Sequence, residues 1–183
     1  MARALSNRRV FLVGFMGAGK SSVGRALASR LGWQFCDLDQ VIEKREGKTV
    51  AEIFAEREEA GFRAAETRAL EELLQDPSRK TDLVIALGGG TFAQPQNRRI
   101  LEEAEAITVL LEAPVDELRR RCTADETFRP LAADPGRFMR LYDERLAAYK
   151  MATHKVNTMG KKVEDVTTEI AGILTSITPE SQS

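Results

Sequence analysis

Val10-Phe11-Leu12-Val13-Gly14-Phe15-Met16-Gly17-Ala18-Gly19-Lys20-Ser21 sets an apolar run directly before the pattern G-x-x-x-x-G-K-S. A strand that empties into such a loop makes a cradle for phosphate. The glycines let backbone N–H groups turn inward on phosphate oxygens, Lys20 reaches the outer phosphates, and the Ser21 hydroxyl is a ligand for Mg²⁺. The following helix directs its positive end at the same anion. A plain glycine turn with a surface lysine is the alternative, and the fixed spacing argues against it. The expected ligand is a nucleoside triphosphate or a related phosphate.

Outward from this loop, strands and helices alternate. Val23, Leu27 and Leu31 recur every fourth residue and Gly32 follows, which predicts an amphipathic helix with a glycine stop. Trp33 to Cys36 predicts a short strand that runs into Asp37-Leu38-Asp39. Thr49-Val50-Ala51-Glu52 is a capping box, and a second helical stripe follows with Phe62, Ala65, Ala69 and Leu73, ending near Asp76-Pro77. Leu83 to Leu87 and Ile107 to Leu111 are unbroken apolar strands, as expected where both sheet faces are covered. Pro114 opens a helix carrying Val115, Leu118 and Cys122, and Pro135 another carrying Phe138, Leu141, Tyr142 and Tyr149. A short strand near His154-Lys155-Val156 leads to a last helix from Val163 to Ile177. Alternation of this kind predicts an α/β fold with a parallel sheet. Ligands on such sheets bind beyond the carboxyl ends of the strands, so Gly14–Ser21, Asp37–Asp39 and Gly88–Gly90 are expected to share one crevice.

The whole chain narrows the function classes. Its 183 residues suit one domain with a sizeable core. With 27 basic and 28 acidic residues the net charge is −1, so no global field favours nucleic acid or an anionic membrane. Recognition of an anion must come from a few placed arginines. The 2 cysteines, Cys36 and Cys122, make no disulfide framework and fit a reduced, cytoplasmic setting. No apolar run approaches a membrane span, and too few apolar residues precede Gly14 for a signal peptide. Only residues 178–183 read as a disordered tail.

Several side chains carry candidate chemistry, each with a plainer alternative. The strand from Leu83 to Leu87 ends in glycines and offers no carboxylate, so the acidic partner of a metal falls to Asp37, with Asp39 two residues on to orient or deprotonate a hydroxyl. Asp37 is equally suited to cap a helix. Gly88-Gly89-Gly90 is either a flexible turn or a place where a ligand approaches backbone closely. Arg145 lies on the apolar stripe between Tyr142 and Tyr149, where a guanidinium needs an anion or a wet crevice, unless it snorkels. Arg63 has Glu66 one turn on, the spacing of an ordinary surface pair. Arg129, before Pro130 in the polar stretch from Ala124 to Asp134, reads as a charge on a lid. His154 and Cys36 read as structural.

Together the stretches GFMGAGKSSVG, FCDLD, GFRAAE, ALGGGT, RCTADETFRPL and RLAAY resemble the shikimate kinase family, whose pattern runs from Val10 to about Ile177. The resemblance implies transfer of the γ-phosphoryl group of ATP to the 3-hydroxyl of shikimate, toward chorismate and the aromatic amino acids, with Mg²⁺. It implies a three-layer P-loop kinase fold with a five-stranded parallel sheet, like the nucleoside monophosphate kinases, in one domain over residues 1–177. Residues 38–65 would be the substrate-binding part and 122–135 the lid. It assigns the nucleotide phosphates to Gly17, Ala18, Gly19, Lys20, Ser21 and Ser22, with Lys20 catalytic, and the metal to Ser21 and Asp37. Asp39 would bind the shikimate hydroxyls and act as base. Arg63 and Arg145 would clamp the carboxylate, and Gly88, Gly89 and Gly90 would approach the ring, Gly89 through its backbone. Arg129 would be the lid arginine, with Arg121 near the adenine. The stretch Asn157 to Lys162 follows the family's adenine loop loosely, with Lys162 the expected contact, and Ala132 stands where the family often has leucine. A monomer is expected, with ATP and shikimate as its small-molecule partners. Another small-metabolite kinase of this architecture, such as a gluconate kinase, and a nucleotide-binding regulator are the competing readings.

Overall fold

A computed structural model describes residues 8–75, 81–124 and 134–177 of the chain. Arg129, residues 125–133 of the lid expected over 122–135 and the tail at 178–183 lie outside the described residues. Within them the strands are β1 (Arg9–Val13), β2 (Gln34–Asp37), β3 (Leu83–Ala86), β4 (Ile107–Glu112) and β5 (His154–Asn157). The helices are α1 (Lys20–Leu31), α2 (Leu38–Glu46), α3 (Val50–Gln75), α4 (Pro95–Glu103), α5 (Val115–Ala124), α6 (Pro135–Tyr149) and α7 (Val163–Ile177).

The strands form one parallel sheet in the order β2-β3-β1-β4-β5. Right-handed crossovers then decide which face each helix covers. The chain moves one way from β1 to β2 and the other way at every later step, so α1 lies on one face and α2 to α6 on the opposite one. After β5 the chain returns as α7, which packs against α1. That makes three layers, and the central strands show why their sequences are unbroken apolar runs: Val10 to Val13, Leu83 to Leu87 and Val109 to Leu111 are buried throughout.

Register brings the strand ends level. Leu12 and Asp37 both pair with Ala86, and the Leu87 N–H donates to the Leu12 carbonyl at 3.0 Å. The chain leaves β1, β2 and β3 at one height, and their three following loops open on one crevice. Capping residues behave as their chemistry predicts. Gly32 closes α1 in the left-handed region at φ 68°, and the Thr49 N–H donates to Glu52 Oε2 at 2.7 Å while the Glu52 N–H donates back to Thr49 Oγ1 at 3.3 Å.

Two features differ from the sequence reading. Helix α4 was not anticipated: Pro95 at its start and Ile100-Leu101 inside it are its only local signals, and the surrounding residues are polar. The two helical stretches expected between Thr49 and Gln75 run on as one element, broken at Glu58, whose φ of 57° and ψ of −173° are not helical.

Candidate active site

The phosphate loop is shaped by its neighbours. Gly17 sits at φ 80°, and a Cβ there would lie 2.4 Å from the Leu118 carbonyl oxygen and 2.9 Å from Cys122 Sγ, so α5 packs onto the loop where only glycine fits. Gly19 caps α1 with no side-chain hydrogen bond, and the first turn of α1 has no acidic residue. The open N–H groups of that turn are the positive end that an anion seeks. Lys20 folds back over the loop, its Nζ donating to the carbonyls of Gly14 at 2.7 Å and Phe15 at 3.1 Å.

Asp37 uses its two oxygens separately. Oδ1 accepts from the Asp39 N–H at 3.1 Å and caps α2, while Oδ2 accepts from the Ser21 hydroxyl at 2.9 Å. A hydroxyl and a carboxylate held together beside a phosphate loop are the hard oxygen donors that suit Mg²⁺. Among the described residues no group of three or more His, Cys, Asp or Glu would hold a metal alone, so a metal here would share its coordination with phosphate.

Asp39, on the first turn of α2, points toward the turn after β3. Its Oδ1 is fully buried without a hydrogen-bond partner among the described residues, 2.8 Å from where a Cβ at Gly88 would stand. Burial, then repulsion from Asp37 and Glu66, raises its pKa from 3.8 to about 6, against the pull of Lys20. An acceptor left open in this way invites a hydroxyl proton.

Gly88, Gly89 and Gly90 are packed on by side chains from three helices. Asp39 lies against Gly88, Arg145 Nη1 would be 3.4 Å from a Cβ at Gly89, and Arg63 Nη1 would be only 2.3 Å from one at Gly90. The glycines therefore admit the protein's own Asp39, Arg145 and Arg63 side chains to the backbone. The two guanidinium groups flank consecutive residues of one turn. Arg145 also lies over the Phe15 ring, 5.9 Å from its centroid, and among the described residues no carboxylate pairs with it.

Glu66 belongs to the site although in the sequence reading it figures only as the partner in the plainer, surface-pair alternative for Arg63; it is 1% exposed. It receives Arg63 Nη1 at 2.6 Å, the Thr91 hydroxyl at 2.6 Å and Gln94 Nε2 at 3.0 Å, tying α3 to the turn. Arg63 also bonds the more exposed Glu59, through Nη2 at 3.0 Å. Its signal was available: Glu66 falls on the apolar stripe with Phe62, Ala69 and Leu73, as Arg145 does on its own helix.

A cleft of about 630 Å³ joins most of these groups, with Lys20, Ser21, Asp37, Asp39, Gly89 and Arg145 on its walls. Arg63 and Gly90 are not on its walls, and Arg63 lines a second cavity with Thr67 and Gln94. A further cavity of about 370 Å³ extends from Gly17, Ala18 and Ser22 toward Thr158 and Lys161, and Arg121 borders both spaces. Arg121 is fixed there by the Thr158 hydroxyl at 2.9 Å, the Thr158 carbonyl at 3.0 Å and Glu117 at 2.8 Å. Lys161 lines this cavity with its ammonium on Glu169, and Lys162 is the next residue, its backbone N–H donating to Asp165. A separate apolar cavity of about 320 Å³, bordered by His154, lies at the opposite, amino-terminal edge of β4 and β5 and holds none of these groups.

The family model described as Shikimate kinase matches residues 16–175. The chain belongs to the shikimate kinase family. A shikimate kinase from Geobacter metallireducens is 45% identical over 172 residues, covering 92% of this chain and 93% of that one. A solved shikimate kinase from Acinetobacter baumannii, in complex with shikimate, superposes with a TM-score of 0.82 at 35% identity, covering 96% of this chain and 97% of that one. A gluconokinase from Sinorhizobium meliloti shares the fold alone, at 18% identity and a TM-score of 0.58.

Proposed function

We infer that this shikimate kinase family member transfers the γ-phosphoryl group of ATP to the 3-hydroxyl of shikimate. The observation that carries the reading is the unpartnered, buried Oδ1 of Asp39 on the same cleft as Lys20, the phosphate loop and Arg145. The groups divide by role. The N–H groups of Gly17 to Ser22 and the Lys20 ammonium hold the phosphates. Asp39 takes the hydroxyl proton or aims the oxygen, and Arg145 with Arg63 holds the carboxylate. Arg121 borders the nucleoside end, and Arg129 belongs to the lid, outside the described residues.

Positioning and charge stabilisation supply most of phosphoryl-transfer catalysis, so these fixed cations and amides are the machinery. Ser21 and Asp37 would hold Mg²⁺, which neutralises charge on the β- and γ-phosphate oxygens. Arg63 keeps its buried bond to Glu66 and gives up the exposed one to Glu59, an exposed pair being worth little. Each charge-assisted hydrogen bond to a substrate carboxylate contributes about 1.5–3 kcal/mol, enough to select an acid over a neutral polyol.

The test is ADP release in a coupled assay against shikimate, gluconate and nucleoside monophosphates, with and without chelator. ADP is expected with shikimate alone, and only while Mg²⁺ is present. Turnover of gluconate or a nucleotide in place of shikimate would overturn the reading.

A further inference from the structure

Tyr149 is the last residue of α6 and is 2% exposed, although its ring is built to present a polar end. Its hydroxyl donates to the Gly89 carbonyl. Burial pushes the phenol's pKa up to about 12, against the pull of the Arg145 guanidinium, which lies beside the phenol oxygen from one turn earlier on the same helix face. The hydroxyl thus stays protonated and keeps its donor at any physiological pH. A Cβ at Gly89 would stand 3.4 Å from Arg145 Nη1 and 3.9 Å from the Tyr149 oxygen, so all three groups meet at one point.

The Gly89 carbonyl and the Gly90 N–H belong to one rigid peptide plane. Three consecutive glycines would otherwise leave that plane free to rotate. Arg145 packs at Gly89 and Arg63 at Gly90, one at each end of the plane. The ring itself is seated against the phosphate loop, with Phe15 edge-on to Tyr149 at 6.4 Å and to Phe138 at 5.0 Å.

We propose that Tyr149 is a positioning residue for the acid substrate, its hydroxyl locking the Gly89–Gly90 peptide and aligning Arg145 with it. This rests on Gly89 and Arg145 being the acid-binding groups of the proposed reaction. Shikimate meets a preset peptide and guanidinium, while the phosphate loop, which the hydroxyl does not touch, is left as it was.

The experiment is steady-state kinetics of Tyr149→Phe, Arg145→Ala and the double variant, with thermal melts of each. Tyr149→Phe deletes one oxygen and keeps the ring. A single hydrogen bond predicts a shikimate KM about three- to tenfold higher, with the ATP KM unchanged and kcat within about twofold. In the Arg145→Ala background the same change should cost less than in wild type, because one of the two groups it fixes is gone and only the peptide remains. An unchanged shikimate KM, fully additive effects, or equal losses for both substrates with a much lower melting temperature would overturn the proposal. Wild-type protein without activity on shikimate would instead overturn the functional reading beneath it.

Discussion

At Asp39 the site gathers three carboxylates, its own, Asp37 two residues before it and Glu66 from across the turn, against the pull of Lys20. Burial contributes most to the rise of its pKa from 3.8 to about 6, so ionisation is harder in the folded chain than in the unfolded one. Such a group leaves stability intact below pH 3.8 and erodes it as pH rises through 6, the reverse of a salt-bridged aspartate. The full penalty above pH 6 is on the order of 3 kcal/mol. Asp39→Asn removes that penalty together with the proton acceptor. Without metal or nucleotide, the variant should denature at higher urea than wild type at pH 8, with the gap narrowing by pH 4.5, while turnover falls by at least about a hundredfold. A variant less stable than wild type at pH 8 would mean that the carboxylate is a structural anchor. The sequence made Asp37 and Asp39 legible because they follow a strand beside a phosphate loop. It left Glu66 looking like a surface residue, because the partners that bury it, Thr91 and Gln94, come from a turn 25 and 28 residues away.

At the scale of elements, the turn after β3 was legible as a glycine run at a strand end, but not as a place where side chains from α2, α3 and α6 converge. Local sequence carries the turn's freedom; only the sheet order brings those helices to it. Helix α4 was obscured for a related reason, since its buried Asn97 is polar and bonds Thr67 at 2.8 Å and the Thr91 carbonyl at 3.0 Å. A polar residue on the inner face erases part of the apolar period from which helices are read. Gly90→Ala tests what the turn is for. Its φ is not in the left-handed region, so alanine brings no left-handed backbone strain there, and the atoms nearest the new Cβ are all at the guanidinium end of Arg63. The guanidinium must shift away from the turn, and the fold holds only if it stays within reach of the buried Glu66. A melting temperature within a few degrees of wild type is expected, with a shikimate KM raised about tenfold or more and an unchanged ATP KM. If shikimate saturates the variant normally, Arg63 does not hold the acid from this position.

For the whole molecule, the alternation of strands and helices made the parallel sheet and its binding edge legible, because each central strand is covered on both faces and reads as an unbroken apolar run. What the edge does with its length follows from the order β2-β3-β1-β4-β5. The phosphate loop leaves the central strand. Asp39 and the glycine turn lie on the β2–β3 side, joined by Arg145 reaching in from α6, and Arg121 with Thr158 lies beyond β4 and β5. In the proposed reaction the acid and nucleoside ends would thereby be held by different elements on opposite sides of the phosphate loop. Arg145→Ala should raise the shikimate KM by about one to two orders of magnitude with the ATP KM nearly intact, since it removes charge-assisted bonds to the acid. Arg121→Ala should do the converse to ATP. With no shared partner between them, the two changes should add on a logarithmic scale in the double variant, unlike the pair Tyr149 and Arg145. Fourfold kinetics over wild type, both single variants and the double decide it. A double variant far better or far worse than the product of the singles would show that the two ends communicate through the loop.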